Sequence, residues 1–396
     1  MNSGCQSQKA MLQRRPMKAT ILGIGTELTT GQITNKNGSW ISKQLIDYGV
    51  TTSSHIVVPD DKKLIIDGLD FCAKTSQIIF ITGGLGPTSD DFTRDIISEW
   101  TQTKLIFNES SWQHVQNRLT SRGFTVKDIQ RQQCFFPENS KILTNSNGTA
   151  NGFYMKYIKN SFIIHLFVLP GPPREIESIW NDHISDWLKE NTRSLDKTIT
   201  KSWDTLGVGE SDVATLVENA LQGKTESLPM DIGYRVHLPY VEVKLSYPES
   251  VSYTCDLFVQ NVDQALKNIT VLKNFDDIVN LFSALTGKTD FAFYDFVSGG
   301  FLHHRLSNVL KKHSNWMWKQ NFESMDSDFF SDEQNFLALI PVGEFECILM
   351  FEFSGHRKSI KIEITQTSLK SELMKERRKQ YFAEMAMLEF VKCFIS

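Results

Sequence analysis

The stretch Thr82-Gly83-Gly84-Leu85-Gly86-Pro87-Thr88-Ser89-Asp90-Asp91-Phe92-Thr93 constrains the fold of this chain more than any other. It is entered from Gln77-Ile78-Ile79-Phe80-Ile81, a short β-branched apolar run that suits a buried parallel strand. Three glycines then allow positive φ and close backbone approach to a ligand, and Asp90, Asp91 and Thr93 are expected to open the next helix. N–H groups at such a turn attract phosphate oxygens. Two adjacent aspartates would repel the same phosphate unless a divalent cation lay between them, so the pattern implies a metal held by Asp90 and Asp91 as well as a nucleotide. The plainer reading is a glycine turn with a capping aspartate.

The surrounding pattern agrees with that placement. Ala19 to Ile24 reads as a strand, Asn37 to Tyr48 as a helix ending at Gly49, Thr52 to Val57 as a strand and Asp61 to Lys74 as a helix. With the strand at Ile78 to Ile81 this makes the βαβαβ start of a doubly wound, mostly parallel sheet. Ligands collect at the carboxyl ends of such strands, where Gly25 to Glu27 and Gly83 to Asp91 lie, and the strand Phe162 to Leu169 delivers Gly171 and Glu175 to the same edge. The loop Gly83 to Thr88 would supply backbone donors, with Gly83, Gly84, Gly86, Pro87 and Thr88 forming the phosphate seat, and Glu27 is a third acidic group able to orient water or accept from a ribose hydroxyl.

Three further segments accompany the glycine loop in order: Gly25-Thr26-Glu27-Leu28 with Gly31-Gln32-Ile33 and Asn37; Asn145 with Gly148-Thr149-Ala150 and Gly152-Phe153; and Leu169-Pro170-Gly171-Pro172-Pro173-Arg174-Glu175. Together the four blocks resemble the molybdopterin-binding-type (MoaB/Mog) domain at the front of the CinA, or competence/damage-inducible, family. The resemblance is close from Met17 to about Trp187, looser to about Leu266 and faint beyond. It implies a diphosphate seat that takes a nucleotide such as ADP-ribose, a divalent cation (magnesium, manganese or cobalt), cleavage to AMP and ribose 5-phosphate, and a homodimer. On that resemblance Gly25, Thr26, Thr93 and Gly148 belong to the phosphate and nucleotide seat, Asn145 and Thr149 contact the ribose or base, and Gly171 with Glu175 closes the far rim. Each of these also has a reading as a turn or cap. Two other functions stay open: a non-catalytic nucleotide- or molybdopterin-binding scaffold, and molybdopterin adenylyl transfer.

Four segments are expected: a polar extension over residues 1–16, the molybdopterin-binding-like domain over 17–190, a small α+β module over 196–268, and a degenerate α/β domain over 271–396. The middle module resembles the KH-type fold of the CinA family, but Gly207-Val208-Gly209 is a poor match to the RNA-binding GXXG clamp. A spacer or dimerisation role is expected, without nucleic acid. The family's last domain resembles a nicotinamide mononucleotide deamidase whose nucleophile is the serine of an acidic-Ser-Cys-Thr-Gly-Gly segment. Here the segment reads Asp295-Phe296-Val297-Ser298-Gly299-Gly300, so Phe296 stands in the nucleophile's place and has nothing to attack a carbonyl with. Ser298 is the alternative nucleophile. The family's later glycine-rich segment is replaced by the run from Asn321 to Asn335, and a closing helix is expected from Ser368 to Phe394.

Length and composition bound the rest. A chain of 396 residues with 40% hydrophobic and 22% charged residues should hold two or three globular domains. Its net charge of −4 gives no broad footprint for nucleic acid. Cys5, Cys72, Cys134, Cys255, Cys347 and Cys393 form no CxxC pair, so reduced thiols in the cytoplasm are expected. No apolar run suggests a membrane span. The first sixteen residues lack the apolar stretch of a secretory signal, and Met17 is an alternative start to Met1.

Overall fold

The structure is a computed structural model; it describes residues 17–192, 195–221, 229–274, 276–287, 289–310, 316–319 and 334–394. The extension over residues 1–16 and most of the run from Asn321 to Asn335 lie outside the described residues. The chain divides into two compact units, Met1–Thr198 and Ile199–Ser396.

In the first unit the main sheet is built of β1 (Lys18–Ile24), β2 (Thr51–Val58), β3 (Ile78–Thr82), β4 (Lys141–Leu143), β5 (Gly152–Lys159) and β6 (Phe162–Leu169), in the order β2-β1-β3-β6-β5-β4, and a separate antiparallel pair joins Leu105–Phe107 to Phe135–Pro137. The first four in that order run parallel, and β5 and β4 add an antiparallel flank. Helices α1 (Lys36–Ile46) and α2 (Lys62–Thr75) begin where Asn35 and Asp61 accept backbone N–H bonds from Gly38 and Leu64 at 3.0 and 2.9 Å. Period-two alternation splits the strands between two cores. Leu22, Ile24, Ile79 and Ile81 pack with Ile65 and Leu69 of α2 on one face, while Ala19, Ile21, Ile78 and Phe80 pack with Ile41 and Leu45 of α1 on the other. This is the doubly wound, mostly parallel sheet expected from the sequence. It places the switch in winding between β1 and β3.

Helix α3 (Thr93–Trp100) starts later than the sequence suggests. Asp90 and Asp91 do not open it: they lie in the loop, and the Asp91 carboxylate turns back to accept from the Thr88 N–H at 3.0 Å and its hydroxyl at 2.5 Å.

The second unit holds two sheets. Strands β7 (Thr198–Leu206), β8 (Asp231–His237), β9 (Tyr240–Pro248) and β10 (Thr270–Lys273) form one, in the order β8-β9-β7-β10, and its core includes side chains of Glu210–Leu221 and Ser252–Leu266. The other is five-stranded, and around it Phe282, Phe291, Phe351 and Phe390 build an aromatic core. Leu206, Tyr240 and Leu272 belong to that same cluster, so the middle and last segments share apolar packing. The closing helix runs from Lys375 to Lys392, shorter than expected from Ser368. Arg378, itself buried, donates to the carbonyls of Leu369 and Ser371 and holds the preceding residues in tight turns.

Candidate functional site

A cleft of about 550 Å³ opens at the carboxyl ends of β1, β3 and β6, on the switch between β1 and β3. Its floor is the glycine loop. Gly83 and Gly84 both take positive φ, 106° and 66°, and a Cβ on either would meet the Ile24 carbonyl oxygen at 2.2 Å or Thr93 Oγ1 at 2.1 Å. A Cβ on Gly86 would meet Asp91 Oδ2 at 2.3 Å. The glycines are therefore required by packing of the loop on β1 and α3, before any ligand arrives. The N–H groups of Gly84, Leu85 and Gly86 donate to no acceptor among the described residues, and all three residues line the cleft. A row of unpaired N–H groups on a glycine turn is a seat for phosphate oxygens.

Among the described residues, the ionisable side chains that line the cleft are Glu27, Asp60, Asp90, Asp91 and Glu175, with no lysine or arginine. Burial raises the Glu175 pKa against the lowering effect of an Asn145 hydrogen bond. Hydrogen bonding, chiefly from the Thr88 side chain, lowers that of the exposed Asp90. Asp60 Oδ2 accepts from the N–H and the hydroxyl of Thr26, at 2.8 and 2.9 Å, and joins the ends of β1 and β2.

Gly25, Glu27, Gly83, Gly84, Gly86, Pro87, Asp90, Asp91, Thr149, Gly171 and Glu175 line the cleft. Thr26, Thr88, Thr93, Asn145 and Gly148 stand behind them. Thr93 is buried, donating its hydroxyl to the Gly83 carbonyl at 3.0 Å. Asn145 is buried with its whole carboxamide engaged: Nδ2 donates to Ala150 O and Glu175 Oε2, and Oδ1 accepts from the N–H groups of Asn147 and Gly148. It shapes the loop that carries Thr149 and has no group left for a ribose. Gly148 sits against the Glu175 carboxylate, which a Cβ there would meet at 2.3 Å and have to displace. Asn37 Nδ2 donates to the Gly171 carbonyl at 2.7 Å, closing the rim.

Three residues of the site carry no signal in the sequence. Arg94 is 2% exposed and has no carboxylate within ion-pairing distance among the described residues; it donates to the carbonyls of Leu85, at 3.0 Å, and Asn151, at 3.5 Å, tying the phosphate loop to the β4–β5 loop. Burial pushes its pKa down to about 10, which still leaves it charged near neutral pH. Gln132 Nε2 donates to Asp91 O at 2.9 Å. Gln133 is buried against the cleft. Asp60 could have been found, since Pro59-Asp60-Asp61 follows β2 at the productive edge of the sheet.

In the second unit, Asp204, His237 and Glu242 are the one group of three His, Cys, Asp or Glu ligand atoms found close together among the described residues, within 4.8 Å of one another. Their charges are already met: His237 Nε2 is 2.8 Å from Asp204 Oδ1, and Glu242 Oε2 is 2.8 Å from Arg235 Nε and 3.2 Å from Lys244 Nζ. Phe296 packs with Tyr294, Phe336 and Ala338. Ser298 is fully buried, donates its hydroxyl to Asp295 Oδ2 and accepts from the Leu302 N–H at 3.0 Å, so it anchors the start of the helix Phe301–Leu310 and is not placed to attack a substrate.

Residues 20–190 match the family model described as "Probable molybdopterin binding domain". Over 209 residues the chain is 36% identical to a "Putative competence-damage inducible protein" of Clostridium botulinum, covering 53% of this chain and 50% of that protein. A protein of the same name in Clostridium tetani is 34% identical over an equal length. The chain thus spans about half the length of the curated relatives it matches. Among solved structures, the CinA protein of Thermoplasma acidophilum aligns at 25% identity with a TM-score of 0.38, over 43% of this chain and 96% of that one. The MoaB protein of Pyrococcus furiosus aligns at 16% identity with a TM-score of 0.31, over 46% and 99%.

Proposed function

For a CinA-like protein whose first unit holds a domain of the molybdopterin-binding type, we propose that this domain binds a nucleotide diphosphate of the ADP-ribose class together with a divalent cation and hydrolyses its pyrophosphate. One observation carries the reading: Gly84, Leu85 and Gly86, whose N–H groups have no acceptor among the described residues, line a cleft that holds five carboxylates and, among those residues, no basic side chain. Phosphate donors invite a diphosphate that the carboxylates repel. A hard divalent cation with oxygen ligands reconciles the two, and Asp90 and Asp91, with Asp91 Oδ1 left beside the bonds to Thr88, fit as its holders. When bound, such a cation neutralises charge on the phosphoryl oxygens.

The chain's own residues account for the remainder. The loop N–H groups hold the non-bridging oxygens, and Glu27, exposed on the turn after β1, orients a water and accepts its proton. The water oxygen bonds to one phosphorus as the bridging oxygen departs with the other phosphate, giving AMP and ribose 5-phosphate. The last segment contributes no deamidation of nicotinamide mononucleotide, because Phe296 has no nucleophile and Ser298 is a buried cap.

The test is a turnover assay on ADP-ribose with magnesium, manganese, cobalt or chelator, alongside ammonia release from nicotinamide mononucleotide. Metal-dependent AMP formation without ammonia is expected. Equal affinity for ADP-ribose in chelator and in metal removes the cation, and binding without turnover under every metal makes the domain a nucleotide-binding scaffold.

A further inference from the structure

Gln133 is the penultimate residue of a tight helical segment, Asp128–Cys134, and lines the cleft. Its position is over-determined. Gln132 latches the segment to the phosphate loop through Asp91 O, the Asn108 N–H donates to Cys134 O at 2.8 Å, and the Arg131 guanidinium sits 4.7 Å from the centre of the Phe107 ring. Consecutive glutamines thereby take opposite roles, one holding the backbone and the other facing the cleft.

The Gln133 side chain is 4% exposed, and its carboxamide oxygen meets no donor among the described residues. A buried acceptor left unpaired is destabilising, and protein interiors rarely keep one without a reason. Leucine at this position would fill similar space without that cost. Thr149, Ala150 and Leu85 line the same cleft, and Ala150 and Leu85 are apolar and buried, which gives a flat ring apolar surface to lie on.

We propose that Gln133 reads the base of the bound ligand, its carboxamide oxygen accepting an N–H from the edge of a nitrogen heterocycle. A carboxamide matches the amino and ring-nitrogen edge of adenine, which is the known geometry by which glutamine singles out that base. Hypoxanthine carries a carbonyl in place of the amino group and sets acceptor against acceptor. The inference rests on the nucleotide reading of the cleft and adds the residue that would select adenine.

The experiment measures binding of ADP-ribose, its hypoxanthine counterpart and a pterin to the full chain with manganese present, for the parent, Gln133→Leu and Gln133→Met. The parent is expected to prefer ADP-ribose over the hypoxanthine form by about tenfold or more. Both variants should bind the two alike, at the weaker level, while the ligand-free proteins melt no lower than the parent. A merely structural glutamine would lower the melting temperature and leave the preference intact. If the parent binds both forms equally, or the variants keep its preference, the role of Gln133 is refuted and the nucleotide reading stands. If the parent takes the pterin and not ADP-ribose, and the variants lose the pterin, the ADP-ribose reading falls and Gln133 remains the base reader. A parent that binds none of the three overturns both.

Discussion

The cleft of the first unit and the buried acids of the second handle carboxylate charge in opposite ways. In the second, Glu384 is 1% exposed but bonded to Arg305 and the Tyr240 hydroxyl, Asp204 meets His237, and Glu242 meets Arg235 and Lys244. In the first, the carboxylates around the cleft bond to neutral donors, Thr26, Thr88 and Asn145, and no lysine or arginine lines the cleft with them. Charge balance therefore separates the two sets where spacing does not. The group Asp204, His237 and Glu242 is compact enough for an ion, yet two of its neighbours are cations that would repel one. The cleft lacks such neighbours and needs its positive charge from outside.

The most drastic way to break the first unit is Gly84→Val. The positive φ and the Thr93 hydroxyl leave no space for a branched side chain, so loss of the native first unit is expected, seen as lost amide protection over β1 and β3 by hydrogen exchange. A merely ligand-deficient but fully protected protein would show the loop to be looser than its packing implies. In the second unit, Glu384→Ala removes the buried carboxylate shared by Arg305 and the Tyr240 hydroxyl, leaving Arg305 the longer 3.9 Å pair with Asp277, and denaturant unfolding should register a loss of about 3 kcal/mol. Little change there would mean that these acids are not the structural set.

Asp91→Asn keeps the acceptor for the Thr88 N–H but removes a charge from the cleft. Turnover of ADP-ribose should fall by a hundredfold or more, about 2.7–4 kcal/mol, with manganese affinity reduced in calorimetry and the fold retained. His237→Ala should leave that manganese affinity unchanged. The reverse pattern would move the cation to the second unit and undo the comparison.

The smallest effect concerns pH. Burial between Tyr154 and Trp187 pushes the His165 pKa down from 6.5 to about 4, so the folded state holds this ring neutral where the unfolded chain takes up a proton. Its contribution is complete above the unfolded value and is lost as pH falls from about 6.5 towards about 4. Urea midpoints of the first unit should drop between about pH 7 and about pH 5, and drop less in His165→Phe. An equal drop in both would assign the acid sensitivity to other groups.

Much of the first unit was legible because strand periodicity and glycine punctuation report backbone needs that any ligand-free chain must meet. The strand Lys18–Ile24 and the helices capped by Asn35 and Asp61 follow from local sequence. The expectation that Asp90 and Asp91 open α3 failed because a carboxylate can close a loop on Thr88 as readily as cap a helix, and only the path of the chain decides. Arg94 and Gln133 were invisible, since their roles depend on carbonyls and cavities brought together from distant segments. Asn145 was legible as special with a ligand contact and a turn role both open, and its buried carboxamide bonds within the loop.

The interlock of the glycine loop has an evolutionary consequence. Because Gly83, Gly84 and Gly86 press against Ile24, Thr93 and Asp91, folding alone would purify these positions in any lineage that keeps the sheet. A descendant that had abandoned chemistry would retain the whole signature. Drift would show first at the exposed acids Glu27 and Asp90, whose replacement leaves the packing undisturbed, so the fate of those two positions among relatives distinguishes a working enzyme from a surviving shell.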